Sequence, residues 1–423
     1  MVSHVKRFSL SVVTCLVAVF AVFALLQFAS PSAAQAPAGL ASPSPSASEV
    51  GSWLLVNNLV SSNLRIVNTA NNQVYGPFLQ DQLGTGGSER LDIAVTPDGR
   101  TALLSSFEDR AVFLVNVSDP IHPSVITSVT LPFYAEDIDI SHDGQYALVT
   151  DGSPSSVVAA INLLSPTQVI TADLGSAQAQ AVAIAPDGTI ILVDTGNHTV
   201  HSIRLSDMLG GITATHTYTV PYPGVALTDT ANLPIPVNVG VAPDGQTVIV
   251  CSGISETVDI FRIVSPGVLT STGVITGLHG TDAVYTWSTP GVQSVAFNAA
   301  GTKAYAVVNN ILRDYHISYG DRLAVLNITG PGQVSLAAGG VVTLPHYTSG
   351  WYFGVDTLAV AGNKVYLGYP MSLQSDDLTS LAVVDLTDYS VTSTMVLSKS
   401  VSYPTGVAVV VPLIRVYLPV ILR

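Results

Sequence analysis

The chain has 423 residues, with 15 Lys and Arg against 29 Asp and Glu, a formal net charge of −14. That acidic balance argues against nucleic acid and anionic membrane surfaces as partners, because both repel it. Two cysteines argue against a disulfide scaffold, so the fold must close through strand pairing.

The first residues read as a leader. Lys6 and Arg7 precede an apolar run from Leu10 to Ala29, and small residues follow (Pro31-Ser-Ala-Ala-Gln-Ala36). This order of charge, apolar core and small residues is that of a secretory signal, assigned to residues 1–34. The length of the apolar run keeps an uncleaved membrane anchor open as the competing reading. Residues 35–50, rich in Pro, Ser and Ala, carry little that can be buried and read as a linker. Removing the leader also removes Cys15 and leaves Cys251, which lies in the apolar run Thr247-Val-Ile-Val-Cys251 and reads as a buried thiol.

From residue 51 onward one phrase recurs, an alternating apolar run closed by a Pro-Asp-Gly turn. Its copies are Asp92-Ile-Ala-Val-Thr-Pro-Asp-Gly99, Asp137-Ile-Asp-Ile-Ser-His-Asp-Gly144, Ala181-Val-Ala-Ile-Ala-Pro-Asp-Gly188 and Asn238-Val-Gly-Val-Ala-Pro-Asp-Gly245. Altered copies begin at Ser294 and Asp356. The turn glycines from Gly99 to Gly301 are 45, 44, 57 and 56 residues apart. Strand-type alternation at a period of about 40–50 residues indicates the blades of a propeller. In the clearest blade Leu91–Thr96, Thr101–Phe107, Ala111–Val117 and Ser124–Leu131 read as four strands separated by turn residues.

Six blades carry their own inner strand. Trp53–Asn57 and Asn63–Asn68 look like second and third strands with no first strand before them, and Pro404–Val411 looks like a first strand with nothing after it. Joining them gives an all-β, seven-bladed β-propeller of four-stranded antiparallel blades over residues 51–411, closed by a composite blade from both ends. Residues 412–423 (PLIRVYLPVILR) form an apolar tail, read either as a sorting signal or as a strand packed on the propeller.

The turns Ala185-Pro-Asp-Gly188 and Ala242-Pro-Asp-Gly245, with Thr96-Pro-Asp-Gly99 close to them, resemble those of the YVTN-type propeller repeat family. The namesake tetrapeptide is blurred here to Ala147-Leu-Val-Thr-Asp151 and Ala306-Val-Val-Asn-Asn310. The resemblance implies a seven-bladed ring. It leaves function open, because that superfamily includes surface-layer proteins, lactonases and cofactor-bound oxidoreductases.

Aligning the repeats brings the first residues of the inner strands to one mouth: Asp92, Asp137, Ala181, Asn238, Ser294, Asp356 and Gly406, with Arg90, Glu136, Gln180 and Gln293 beside them. Asp92, Asp137 and Asp356 supply the hard oxygen ligands that Ca²⁺ takes, and the competing reading is a polar, water-filled mouth. No other cofactor is expected. Segments 277–292, 309–322, 344–355 and 369–379 read as long loops on the same face, carrying Tyr285, Trp287, Tyr315, His316, Tyr319, Trp351 and Tyr352. Such rings offer flat apolar area with a polar tip for binding, or pack long loops down as small satellite cores.

The sequence contains no Gly-x-Ser-x-Gly elbow, His-Glu-x-x-His pair or Cys-x-x-Cys pair. The expectation is therefore an exported, monomeric module at the cell surface or secreted, binding a protein, peptide, carbohydrate or small molecule. A lactonase-like hydrolase opening a cyclic ester is the alternative, and a surface-layer subunit the second alternative.

Overall fold

The computed structural model describes residues 52–58, 63–84, 92–153, 155–175, 178–220, 236–253, 255–278, 288–312, 322–344, 358–369, 379–398 and 404–410. Residues 1–34, 35–50 and 412–423, read from the sequence as leader, linker and tail, lie outside these residues.

Seven four-stranded antiparallel sheets account for the described strands. Blades 2 to 7 span residues 93–130, 135–173, 179–219, 236–275, 288–343 and 358–398, each running from inner to outer strand in chain order. Blade 1 is composite: its inner strand is Pro404–Val410, hydrogen-bonded to Trp53–Asn58, with Leu64–Asn68 and Gln73–Phe78 outside it. Each inner strand neighbours the next, and Pro404–Val410 neighbours both the inner strand of blade 7 and that of blade 2, so the ring closes.

Alternation places the core between blades rather than within them. Along Thr247–Ser252, the second strand of blade 5, Val248 and Val250 join a cluster with Ile191, Val193 and Val200 of blade 4. The intervening Ile249 and Cys251 join Ala304, Ala306 and Ala324 of blade 6. The same rule holds around the described ring, giving seven interblade clusters. Sheets buried on both faces need near-continuous Val, Ile, Leu and Ala, which the second strands supply.

The Pro-Asp-Gly turns interlock at the end opposite the mouth. Asp98 Oδ1 accepts from the Thr96 hydroxyl (2.7 Å) and the Arg100 N–H (3.1 Å), and Gly99 adopts φ +68°, which a side chain would strain. A Cβ on Gly144, Gly245 or Gly301 would lie 3.3–3.5 Å from Pro97, Pro186 or Pro243, the proline of the preceding turn. These three turns thus lean on the ones before them.

Blade 6 departs from the loops expected at 277–292 and 309–322. Its first two strands run ten residues each, Ser288–Phe297 and Lys303–Leu312, and pair from Ser288 with Leu312 down to Phe297 with Ala304. Residues 288–292 and 309–312 therefore extend a hairpin instead of belonging to loops, because the β-branched and amide-bearing run at 307–311 continues the ladder.

Candidate functional site at the mouth of the ring

The inner strand is the edge of each blade, so its outward N–H groups have no ladder partner within the sheet. The mouth carboxylates meet this need across the blade gap. Asp92 is fully buried, and its Oδ2 accepts from the N–H of Ile138 in blade 3 (3.0 Å). Asp137, 4% exposed, accepts on Oδ2 from Val182 N–H of blade 4 (2.7 Å). One step further along the strand, Asp139 Oδ2 accepts from Ile184 N–H (2.6 Å). Three carboxylates thereby clasp successive inner strands with charge-assisted hydrogen bonds.

A second set of contacts reaches from the ends of the second strands to carbonyls of the following blade. Asn57 Nδ2 donates to Asp92 O (3.3 Å), Ser105 Oγ to Glu136 O (2.6 Å) and Thr150 Oγ1 to Gln180 O (3.3 Å). These three residues share one register position, the fifth of the second strand. Blade 4 has Val193 there, and Thr195 two residues later donates instead to Pro236 O (2.7 Å).

Glu136 and Gln180 come together as the repeat alignment implies. Gln180 Nε2 donates to Glu136 Oε1, and Gln178 Nε2 donates to Gln180 Oε1 (3.3 Å). Gln178 N–H in turn donates to Asp194 Oδ1 (3.0 Å). This polar row crosses the tops of blades 3 and 4 with Glu136 and Gln180 only 8% and 6% exposed. Beside it Phe107 stacks on Tyr134 at 4.6 Å between centroids, and the Arg110 guanidinium lies 4.3 Å above the Tyr134 ring while donating to its hydroxyl (2.8 Å). Arg110 holds φ +49°, uncommon for a side chain with a Cβ. The Phe107 edge and the Glu136 carboxylate converge over Gly152, where a Cβ would lie 2.5 Å from one and 2.6 Å from the other.

In blades 5 and 6, Asn238 and Gln293 are buried at the corresponding places, and Gln293 Nε2 donates to Gly253 O (3.4 Å). Arg90, Asp356 and the loop aromatics Tyr285, Trp287, Tyr315, His316, Tyr319, Trp351 and Tyr352 lie outside the described residues. Among the described residues no three His, Cys, Asp or Glu side chains gather as a metal-binding group.

Sequence reasoning passed over Asp139, the Asn57–Ser105–Thr150 column and the Phe107–Tyr134–Arg110 stack. The column was visible as polar residues at one register of otherwise apolar strands. Tyr134 was visible as an aromatic just ahead of an inner strand, on the mouth side. Asp139 carried no such signal, since on a strand facing the channel it reads as an ordinary polar position.

No family model matches the chain, and no curated protein matches it by sequence. Solved structures match its fold. A functionally unknown protein from Desulfotomaculum acetoxidans aligns at 16% identity with a TM-score of 0.62, covering 86% of this chain and 99% of that one. The periplasmic gluconolactonase of Pseudomonas aeruginosa aligns at 16% identity and 0.60, covering 85% and 99%. A Bacteroides fragilis protein named as a candidate 6-phosphogluconolactonase aligns at 13% and 0.58, covering 87% and 100%. The chain is a seven-bladed β-propeller similar in fold to lactonase-like proteins and to propellers of unknown function.

Proposed function

We propose that the chain is an exported ligand-binding module whose site lies on the mouth face, over blades 2 to 4. The observation that carries this reading is the division of labour among the mouth side chains. Asp92 and Asp137, the carboxylates best placed for acid–base chemistry, each commit an oxygen to a neighbouring backbone N–H. The Glu136–Gln180–Gln178 row and the adjoining Tyr134–Arg110 pair instead offer acceptors, amide donors and a cation along one edge. Groups of that kind recognise a small polar molecule rich in hydroxyl or carboxylate groups, such as a carbohydrate. Export rests on the leader-like order of residues 1–34.

The test is a thermal-shift and calorimetric panel of neutral sugars, sugar acids and Ca²⁺, paired with an assay of gluconolactone hydrolysis. A ligand that binds the chain and loses at least ten-fold in affinity on Gln180→Ala supports the reading. Lactone turnover abolished by Asp137→Ala would replace it with the hydrolase alternative. Saturable Ca²⁺ binding lost on Asp137→Ala would make the mouth a cation site.

A further inference from the structure

The repeat exposes one position where blade 5 breaks its own rule. Opposite the fourth residue of each second strand, the third strand turns one side chain toward the preceding blade. Around the ring this residue is Arg65, Phe113, Ala159, His201, Asp259, Ala324 and Ala382. Four of the seven are apolar and buried. His201 is polar but provided for, with Nε2 3.3 Å from Asp194 Oδ2 and hydroxyls of Thr199 and Thr215 at 3.0–3.1 Å. Asp259 is fully buried, and neither carboxylate oxygen has a hydrogen-bond partner among the described residues.

Among the described residues its surroundings offer no compensating charge. Val250 faces it across the ladder, and Phe261 lies two residues along the same face. Both pack in one cluster with Val193 and Val200 of blade 4. Ser252, on the same face of the adjacent strand, is 1% exposed, and its Oγ is also without a partner. Among the described residues, Tyr218 of blade 4 is the titratable group packed against this cluster, edge-on to Phe261, with its hydroxyl accepting from Leu269 N–H (2.8 Å). Asp194 and His201 are on the face turned to blade 3 and Cys251 on that turned to blade 6, while Glu256 and His198 occupy the turns at the strand tops.

We propose that Asp259 is a proton-operated catch in the seam between blades 4 and 5, closed while the carboxyl is protonated and released when it ionises. A neutral carboxylic acid fits an apolar slot at moderate cost. A bare carboxylate there cannot be hydrated unless the top of the third strand leaves blade 4. Burial pushes the Asp259 carboxyl up to about 7, which places the release around neutrality. One carboxylate and one hydroxyl fall well short of the six to eight oxygens a hard cation such as Ca²⁺ takes, so a proton is the occupant favoured here.

Cys251 faces blade 6, but it is fully buried in one cluster with its ladder partner Val258, the neighbour of Asp259. A third strand that swings out at its top draws Val258 off the thiol and makes Cys251 a built-in reporter. In the full chain with Cys15→Ser, thiol labelling of Cys251 is followed from pH 6 to 8.5 and divided by the rate of an unstructured cysteine peptide. The corrected rate is expected to rise at least ten-fold across that range, and to stay flat in Asp259→Ala and Asp259→Asn. Alanine is already the residue of blades 3, 6 and 7 at this position, and asparagine keeps the shape. A corrected rate that is flat in the parent chain, or that rises equally in both variants, overturns the catch. Suppression of labelling at pH 8.5 by Na⁺ or Ca²⁺ at fixed ionic strength, lost in Asp259→Ala, also overturns it, by making the slot a cation site.

Discussion

Gly152 has no side chain because Phe107 and Glu136 occupy the space one would take, at 2.5 and 2.6 Å from a Cβ. Gly152→Ala should cost about 1–3 kcal/mol, the usual range for overpacking a filled site. Urea unfolding with near-ultraviolet circular dichroism would read the loss together with the displaced Phe107–Tyr134 stack, and an unchanged midpoint would contradict the packing described. Asp259 makes a second prediction at this scale. Its folded pKa is raised from 3.8 to about 7, so the native state holds the proton more tightly than the unfolded chain. Its ionisation therefore costs nothing below about pH 4, costs progressively more as pH rises, and costs its full amount above about 7. A rise of that size corresponds to about 4 kcal/mol. Stability curves of the parent and Asp259→Ala should coincide near pH 4, apart from a constant offset, and diverge toward pH 8 in favour of the variant. Parallel curves would contradict the assignment. Sequence alone could not reveal this residue, because Val258-Asp-Ile-Phe261 reads as an ordinary alternating strand with its polar residue outward. In a propeller both faces of a blade are inside, so the alternation that normally separates core from solvent points here to two cores.

At the scale of elements, the Pro-Asp-Gly turn and the strand alternation were fully legible, since both are local chemistry repeated at a fixed register. The composite blade was legible by subtraction, as two strands lacking a first and one first strand lacking followers. The extended hairpin of blade 6 was not, because Asn309, Asn310 and Pro290 look like loop residues until their partners are known. Closure also relies on contacts that no local pattern announces. Lys364 Nζ in blade 7 reaches Thr69 O (3.5 Å) and Asn72 Oδ1 (3.3 Å) in blade 1, beside the Tyr366 hydroxyl at 3.4 and 3.5 Å from the same atoms. A chain ending at residue 403 would lose the inner strand of blade 1 and leave the edge of Trp53–Asn58 unpaired. It should melt at least 10 °C lower, or fail to stay soluble, in calorimetry at matched concentration. Melting unchanged from the full chain would argue against closure through both ends.

At the scale of the whole molecule, the mouth is where architecture and recognition compete for the same polar side chains. The repeat aligns Asp92, Asp137, Glu136 and Gln180 at one end of the blades, because register alone fixes which residues start the inner strands. It could not show that the aspartates face the next blade's amides, since that depends on the gap between sheets far apart in sequence. These carboxylates hold the ring together, and hydrogen exchange tests that role most directly. In the parent chain the Ile138 and Val182 amides should be strongly protected. Asp137→Ala removes a charge-assisted bond worth about 1.5–3 kcal/mol, and should speed exchange at Val182 by about 10- to 100-fold while leaving Ile138, held by Asp92, nearly unchanged. Equal protection of Val182 in both proteins would contradict the clasp and return Asp137 to the pool of residues available for catalysis.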